Sequence, residues 1–372
     1  MLFQLYGSAT VATQLLGWCL VFVGLILLNE LGRTKFGGIL LFFIIPVALT
    51  VYFVLAHVIP SWRGHYVVTH MDGWFHYAKL YAATIGCIGF IFIARKWTAL
   101  GKAHWFKCWP FIIVGINILI AVVSDFESLI KGGITGGWWV SNEGVFLYGG
   151  WWNLLNGLAG LINIVCMTGW WGVYSSKSKG KLGTQDMLWP DMTWAFILAY
   201  DVWNFEYTYL NLPTHSWYCG LALLLAPTFA ASFWNKGGWI QNRAFTLSIW
   251  CMFAQVVPFQ LTKPFSVLPS LYKGAALDGT GAHQMWEKSL ELYNNPAIAN
   301  NGPEVQQAIA DMGITADPKA QGVIAVAAFV INVVVLAAII KKAAALKVNP
   351  YTKEIWKGTK DFEEAMAREE NA

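Results

Sequence analysis

Residues 150–174 read GWWNLLNGLAGLINIVCMTGWWGVY, a run without a single charge and with a tryptophan pair near each end. At 1.5 Å of rise per residue, the step from Trp151 to Trp170 covers about 28 Å of helix. That matches a hydrocarbon core of about 30 Å, and tryptophan favours the headgroup level on either side of it. The stretch therefore predicts a membrane-spanning helix pinned at both interfaces.

Eight further apolar windows flank it, at 10–29, 38–58, 78–95, 109–125, 190–211, 216–234, 244–262 and 321–340. The fold class this predicts is all-α: a polytopic integral membrane bundle of about nine transmembrane helices. Composition agrees, since 56% of the 372 residues are hydrophobic, 12% are charged and 21 are tryptophan. Such a chain is neither disordered, nor a coiled coil, nor a conventional water-soluble enzyme. The first window reads as a retained span, not a signal peptide, because no basic residue precedes it and it ends on Asn29, Glu30 and Arg33. The six cysteines form no CxxC or zinc-type pair and read as small buried hydrophobes.

Basic residues orient the bundle. Arg95, Lys96, Lys102 and Lys107 fall in one connection, Lys177, Lys179 and Lys181 in another, and Lys341, Lys342, Lys347, Lys353, Lys357, Lys360 and Arg368 in the tail. Placing these inside predicts an outer N-terminus and a cytoplasmic C-terminus, in a plasma or cytoplasmic (inner) membrane. The organisation read on that basis is a membrane domain over 1–262, an extracytoplasmic loop or small helical cap over 263–320, a ninth span at 321–340 and a charged cytoplasmic tail over 341–372. Pro303 and Gly313 bracket a short helix in the cap, and 284–294 suggests another. The tail reads as a solvated helix of alternating charge. The glycine-rich stretch 126–149 reads as a long outer loop, with re-entry into the bilayer as the alternative.

Polar residues inside apolar windows carry the functional expectation, because an ionised side chain in lipid costs about 2.5–3.5 kcal/mol on insertion scales. Asp201 lies at the centre of the sixth window. Asp201, Asn204, Thr208 and Asn211 step by three, four and three residues along one helix face, beside Tyr200, Trp203 and Tyr207, with Glu206 nearer the outer end. Asn153, Asn156, Gly160 and Asn163 repeat that step in the fifth window, where Gly157 and Gly160 admit close helix approach. The fourth window adds Asn117, Ser124 and Asp125. Gln255 and Asn332 are further mid-depth amides. These residues predict a shared polar cavity that binds an ion or a small polar or cationic ligand, with Asp201 as its coupling carboxylate.

A second expectation rests on histidine. His57, His65, His70 and His76 crowd around the second and third windows with Asp72, and His57 and His76 form the pair best placed to ligate a metal or haem iron. No HExxH or CxxCH accompanies them, and no cofactor is specified by any motif. Nucleotide-binding loops and nucleophile elbows are absent too. The partners expected are the lipid bilayer and a small solute; a net charge of +4 gives no basis for nucleic acid. A multi-pass transporter or channel-like protein is thus the leading expectation. A membrane-embedded enzyme or redox protein using the outer histidines, and a receptor or scaffold without transport, are its alternatives.

Overall fold

The computed structural model describes residues 2–5, 9–62, 74–254, 256–257, 259–274 and 281–370. It is mostly helical with a few short strands, and a helix occupies each of the nine apolar windows. These are α1 (Val11–Arg33), α2 (Lys35–Val58, through a π-helical turn at Leu40–Ile44), α3 (Trp74–Arg95), α4 (Trp109–Gly132), α5 (Trp151–Val165), α6 (Trp194–Asn211), α7 (Tyr218–Phe233), α8 (Trp239–Phe253) and, after two intervening helices, α11 (Lys319–Leu346). Among the described residues, five stretches are long and apolar enough to cross a membrane: Val11–Arg33, Lys35–Val58, Phe75–Arg95, His104–Gly132 and Lys319–Leu346. The others are shorter than their windows. The helix opening at Trp151 stops at Val165 with Cys166 as its C-cap, and Gly169 turns the chain at φ +62° just after it, so Trp170 and Trp171 lie beyond the helix rather than at its end. Trp170 stacks on Phe111 at 3.9 Å, and Trp171 on His104 at 5.3 Å.

Two apolar cores organise the bundle. One unites α4, α5, α6 and α11 around Ile118, Ala159, Trp203 and Ala328; the other unites α1, α2, α3, α7 and α8 around Leu25, Phe42, Phe53, Leu223 and Phe245. Helix α3 contributes to both. Close approach across α4, α5 and α6 depends on Gly160, where a Cβ would sit 2.6 Å from Val122 and 2.7 Å from the Trp203 indole.

The stretch after α4 forms a hairpin, β2 (Gly137–Val140) against β3 (Phe146–Gly149), which follows β1 (Phe3–Leu5) in chain order. A Cβ at Gly149 would lie 1.8 Å from the Ser128 carbonyl oxygen, so only glycine lets the hairpin seat on the end of α4. Helices α9 (Gly281–Tyr293) and α10 (Pro303–Asp311) pack on that hairpin through Trp138, Phe146, Met285, Leu292 and Val305. Two segments that the sequence presents as separate loops thus share one small apolar core.

The tail is not a solvated helix. Helix α11 ends at Leu346, an irregular stretch follows, and α12 (Lys360–Met366) completes a strap folded against the bundle. Two buried aspartates hold it. Asp186 accepts from Arg33 Nε at 2.8 Å, from Gln241 Nε2 at 3.0 Å and from Arg368 Nη2 of the tail. Burial alone would raise the Asp186 carboxyl, but the two guanidiniums overcome it and hold it below the usual carboxylate range. Asp191 accepts from Thr168 Oγ1 at 2.7 Å and from the Ile355 and Trp356 backbone N–H groups at 3.2 Å. Here burial wins and pushes the carboxyl up to about 6.

Candidate functional site

The sixth-window residues do converge, but on two different places. Helix α6 presents Tyr200, Trp203, Asn204, Tyr207 and Thr208 to a cavity of about 50 Å³ between the two apolar cores. Helix α4 adds Asn117. The remaining walls come from Phe75, His76 and Lys79 of α3, from Arg243, Leu247, Trp250 and Cys251 of α8, and from His215 and Cys219. A volume of that size holds a few waters or a small solute.

The charges facing this space are positive. Arg243 is buried, and its Nη2 donates to Asn204 Oδ1 at 3.1 Å, while its Nε and Nη1 are enclosed without a hydrogen-bond partner. The guanidinium carbon lies 5.6 Å from the Tyr200 ring centroid. Lys79 Nζ donates to the Asn117 carbonyl at 3.3 Å and sits 5.3 Å from the Tyr207 ring and 5.6 Å from that of Phe75. Neither cation forms an ion pair with a carboxylate among the described residues. Glu143, at the tip of the β2–β3 hairpin, is the carboxyl set above this wall. Its Oε1 lies 3.6 Å from His76 Nε2. Burial pushes it up to about 8 in spite of the attraction of Lys79.

Asp201 is elsewhere. Its Oδ2 accepts from Thr228 Oγ1 of α7 at 2.8 Å, and that hydroxyl in turn accepts from Trp239 Nε1 at 2.9 Å. It lines neither the cavity nor the amide cluster. Asn153 and Asn156 lie with Asp125, not with Asn117: the fully buried Asp125 carboxylate accepts Nδ2–H donors from Asn153 at 3.3 Å, Asn156 at 2.8 Å and Asn211 at 2.6 Å. Ser128 Oγ closes the cage by donating to Asn211 Oδ1 at 2.6 Å. Glu206 is fully buried with both carboxyl oxygens unpartnered. Asn163 donates to Asn332 Oδ1 at 3.1 Å, and Asn332 to the Ala199 carbonyl at the same distance, which makes that pair an interhelical tie.

The two histidines expected to meet have different neighbours. His57 Nε2 lies 3.5 Å from the Tyr77 hydroxyl, and His76 faces Glu143. Among the described residues no group of three or more His, Cys, Asp or Glu side chains is placed to hold a metal ion. His65, His70, Asp72 and Gln255 fall outside the described residues.

Sequence reasoning missed Arg243 and Lys79 as site residues. Arg243 falls between the windows 216–234 and 244–262 because the polar run Gln241–Asn242–Arg243 interrupts the hydropathy, whereas α8 opens at Trp239 and carries all three inside the bundle. The signal available was Trp239–Ile240 ahead of that run, directly after Gly237 and Gly238. Glu143 was hidden among the glycines of an expected loop. No curated protein and no solved structure matches the chain. The profile of a family of unknown function, DUF5692, matches residues 8–368, nearly the whole length, and the chain belongs to that family.

Proposed function

We propose that this protein is a multi-pass membrane transporter or channel-like protein for a small anionic solute, with the Arg243–Lys79 cavity as its binding site. The observation that supports this reading is the Arg243 guanidinium: buried at the cavity wall, with two donor nitrogens unpartnered. A buried charge without a partner costs several kcal/mol unless something meets it, and an ionisable group inside a bundle marks a pathway by default. An anion meets such a charge by accepting charge-assisted hydrogen bonds from the guanidinium N–H groups. This reading takes an anion where the sequence led to the expectation of a small polar or cationic solute. The proposal includes nine crossings, an outer N-terminus and a cytoplasmic C-terminus, on the strength of the nine windows and the uneven basic residues.

Reconstituted proteoliposomes test it. Saturable uptake of a small labelled monocarboxylate by the wild type, lost in Arg243→Gln, is the expected result. Uptake of organic cations that ignores Arg243, with no uptake of anions, would overturn it.

A further inference from the structure

We infer that the solute is an amphipathic organic acid, bound with its carboxylate against Arg243 and its apolar body in a second cavity beyond. This deepens the anion reading and rests on it. The second cavity, of about 30 Å³, shares Asn117, Tyr200, Arg243 and Leu247 with the first. Its other walls are apolar, with Ala82, Ala83 and Gly86 of α3 facing Ile113 and Val114 of α4. Arg243 thus stands at the junction of two spaces of opposite character. On one side are Lys79, Asn204, Thr208 and the two histidines; on the other are methyl groups and ring faces.

An inorganic anion uses only the first of these spaces. It is symmetrical and strongly hydrated, and it gains nothing from the alanine-lined arm. An acid with a short hydrocarbon body uses both, because each methylene it moves out of water contributes about 0.8 kcal/mol, or about fourfold in affinity. The arm is open because α3 carries small residues there: at Gly86 a Cβ would already come 3.1 Å from Ile113. Larger side chains on this face of α3 would close it without touching Arg243.

Titration calorimetry on the full-length protein in detergent, with acetate, propionate, butyrate, hexanoate and chloride as probes, tests the inference. Affinity is expected to rise about fourfold per methylene from acetate until the arm is full, with chloride the weakest probe. Ala83→Leu, and independently Ala82→Leu, should abolish the gradient. If the carboxylates bind through Arg243 with equal affinities in the wild type, the arm is not part of the site and this inference fails while the anion reading stands. If no probe anion binds at all, the anion reading fails with it. The wild-type gradient decides the matter even where one filled variant does not fold.

Discussion

Helices α4 and α6 each serve two polar clusters, and the two clusters treat charge in opposite ways. Eight residues apart on α4, Asn117 lines the cavity and Asp125 sits in the amide cage; on α6, Asn204 and Thr208 go to the first and Asn211 to the second. Asp125 is fully buried and has three amide donors, so its demand for hydrogen bonds is met from within the chain. Arg243 is nearly as buried and lines an open space, but it keeps two enclosed donors that the fold does not answer. Burial of a charge therefore does not by itself tell the two clusters apart. What distinguishes a ligand site from a structural tie is whether the fold supplies the partner.

The largest effect that could break this contrast is at Arg243. Arg243→Gln should reduce anion binding at least a hundredfold, in line with about 3 kcal/mol for hydrogen bonds to a charged group, and leave the melting temperature unchanged or higher, because an unpaired buried charge has been removed. Arg243→Lys keeps the charge but loses the planar fork, and an intermediate loss of about tenfold is expected by the same titration. A variant that melts far lower while binding anions normally would put Arg243 with the structural ties.

Asp125 should behave in the reverse manner. Asp125→Ala strips three amides of their acceptor and should lower unfolding stability by about 3 kcal/mol, measured by chemical denaturation in detergent, while anion affinity of the folded fraction stays within twofold. Loss of transport in Asp125→Asn at unchanged stability would mean that the cage is a functional site after all.

How much of this was legible in the sequence depends on whether the signal was local. The positions of the helices were, because the apolar windows depend on composition along the chain alone. Helix lengths were less so: α5 ends at Val165, and Trp170 and Trp171 mimic an interface anchor while stacking on Phe111 and His104. The periodic stripe on α6 put Asp201, Asn204, Thr208 and Asn211 on one face, but a stripe says which face a residue occupies and not which neighbour meets it. Asp201 and Asn204 are one turn apart, yet Asp201 meets Thr228 of α7 and Asn204 meets Arg243 of α8. The association of Glu143 with His76 and Lys79 depends on how the hairpin folds over α3, a long-range event with no periodic signature.

Glu143 offers a smaller and graded test of the comparison, since it is the fold's partial answer to the cavity's positive charge. With the carboxyl pushed up to about 8, it is neutral at lower pH and ionised above. Ionised, it competes with a bound anion for Lys79 and His76. Wild-type anion affinity should accordingly rise by roughly tenfold as pH falls through 8, the weight of about one pKa unit of interaction, and Glu143→Gln should bind at the low-pH level throughout. The stability sign follows from the same shift. A carboxyl whose folded value is raised contributes stability that is fully present below its unfolded value of about 4.5 and lost as pH rises through about 8. The melting temperature of the wild type should therefore fall across that window more steeply than that of Glu143→Gln.

Asp201 carries the smallest expected effect, and it is the residue that sequence alone placed first. Its Oδ2 accepts one hydroxyl hydrogen bond and its Oδ1 is enclosed without a partner, so an amide of the same shape keeps the Thr228 contact and removes only the charge. Asp201→Asn should change stability by no more than about 1 kcal/mol and anion affinity by less than threefold, with the pH profile set by Glu143 left in place. The pH profile is the sensitive readout, because a coupling carboxylate governs it whatever its effect on affinity. If Asp201→Asn flattened that profile while Glu143→Gln preserved it, the proton-sensitive group would be on α6 and not on the hairpin. The comparison would then have to be redrawn, with Asp201 acting on Arg243 through the attraction between their charges.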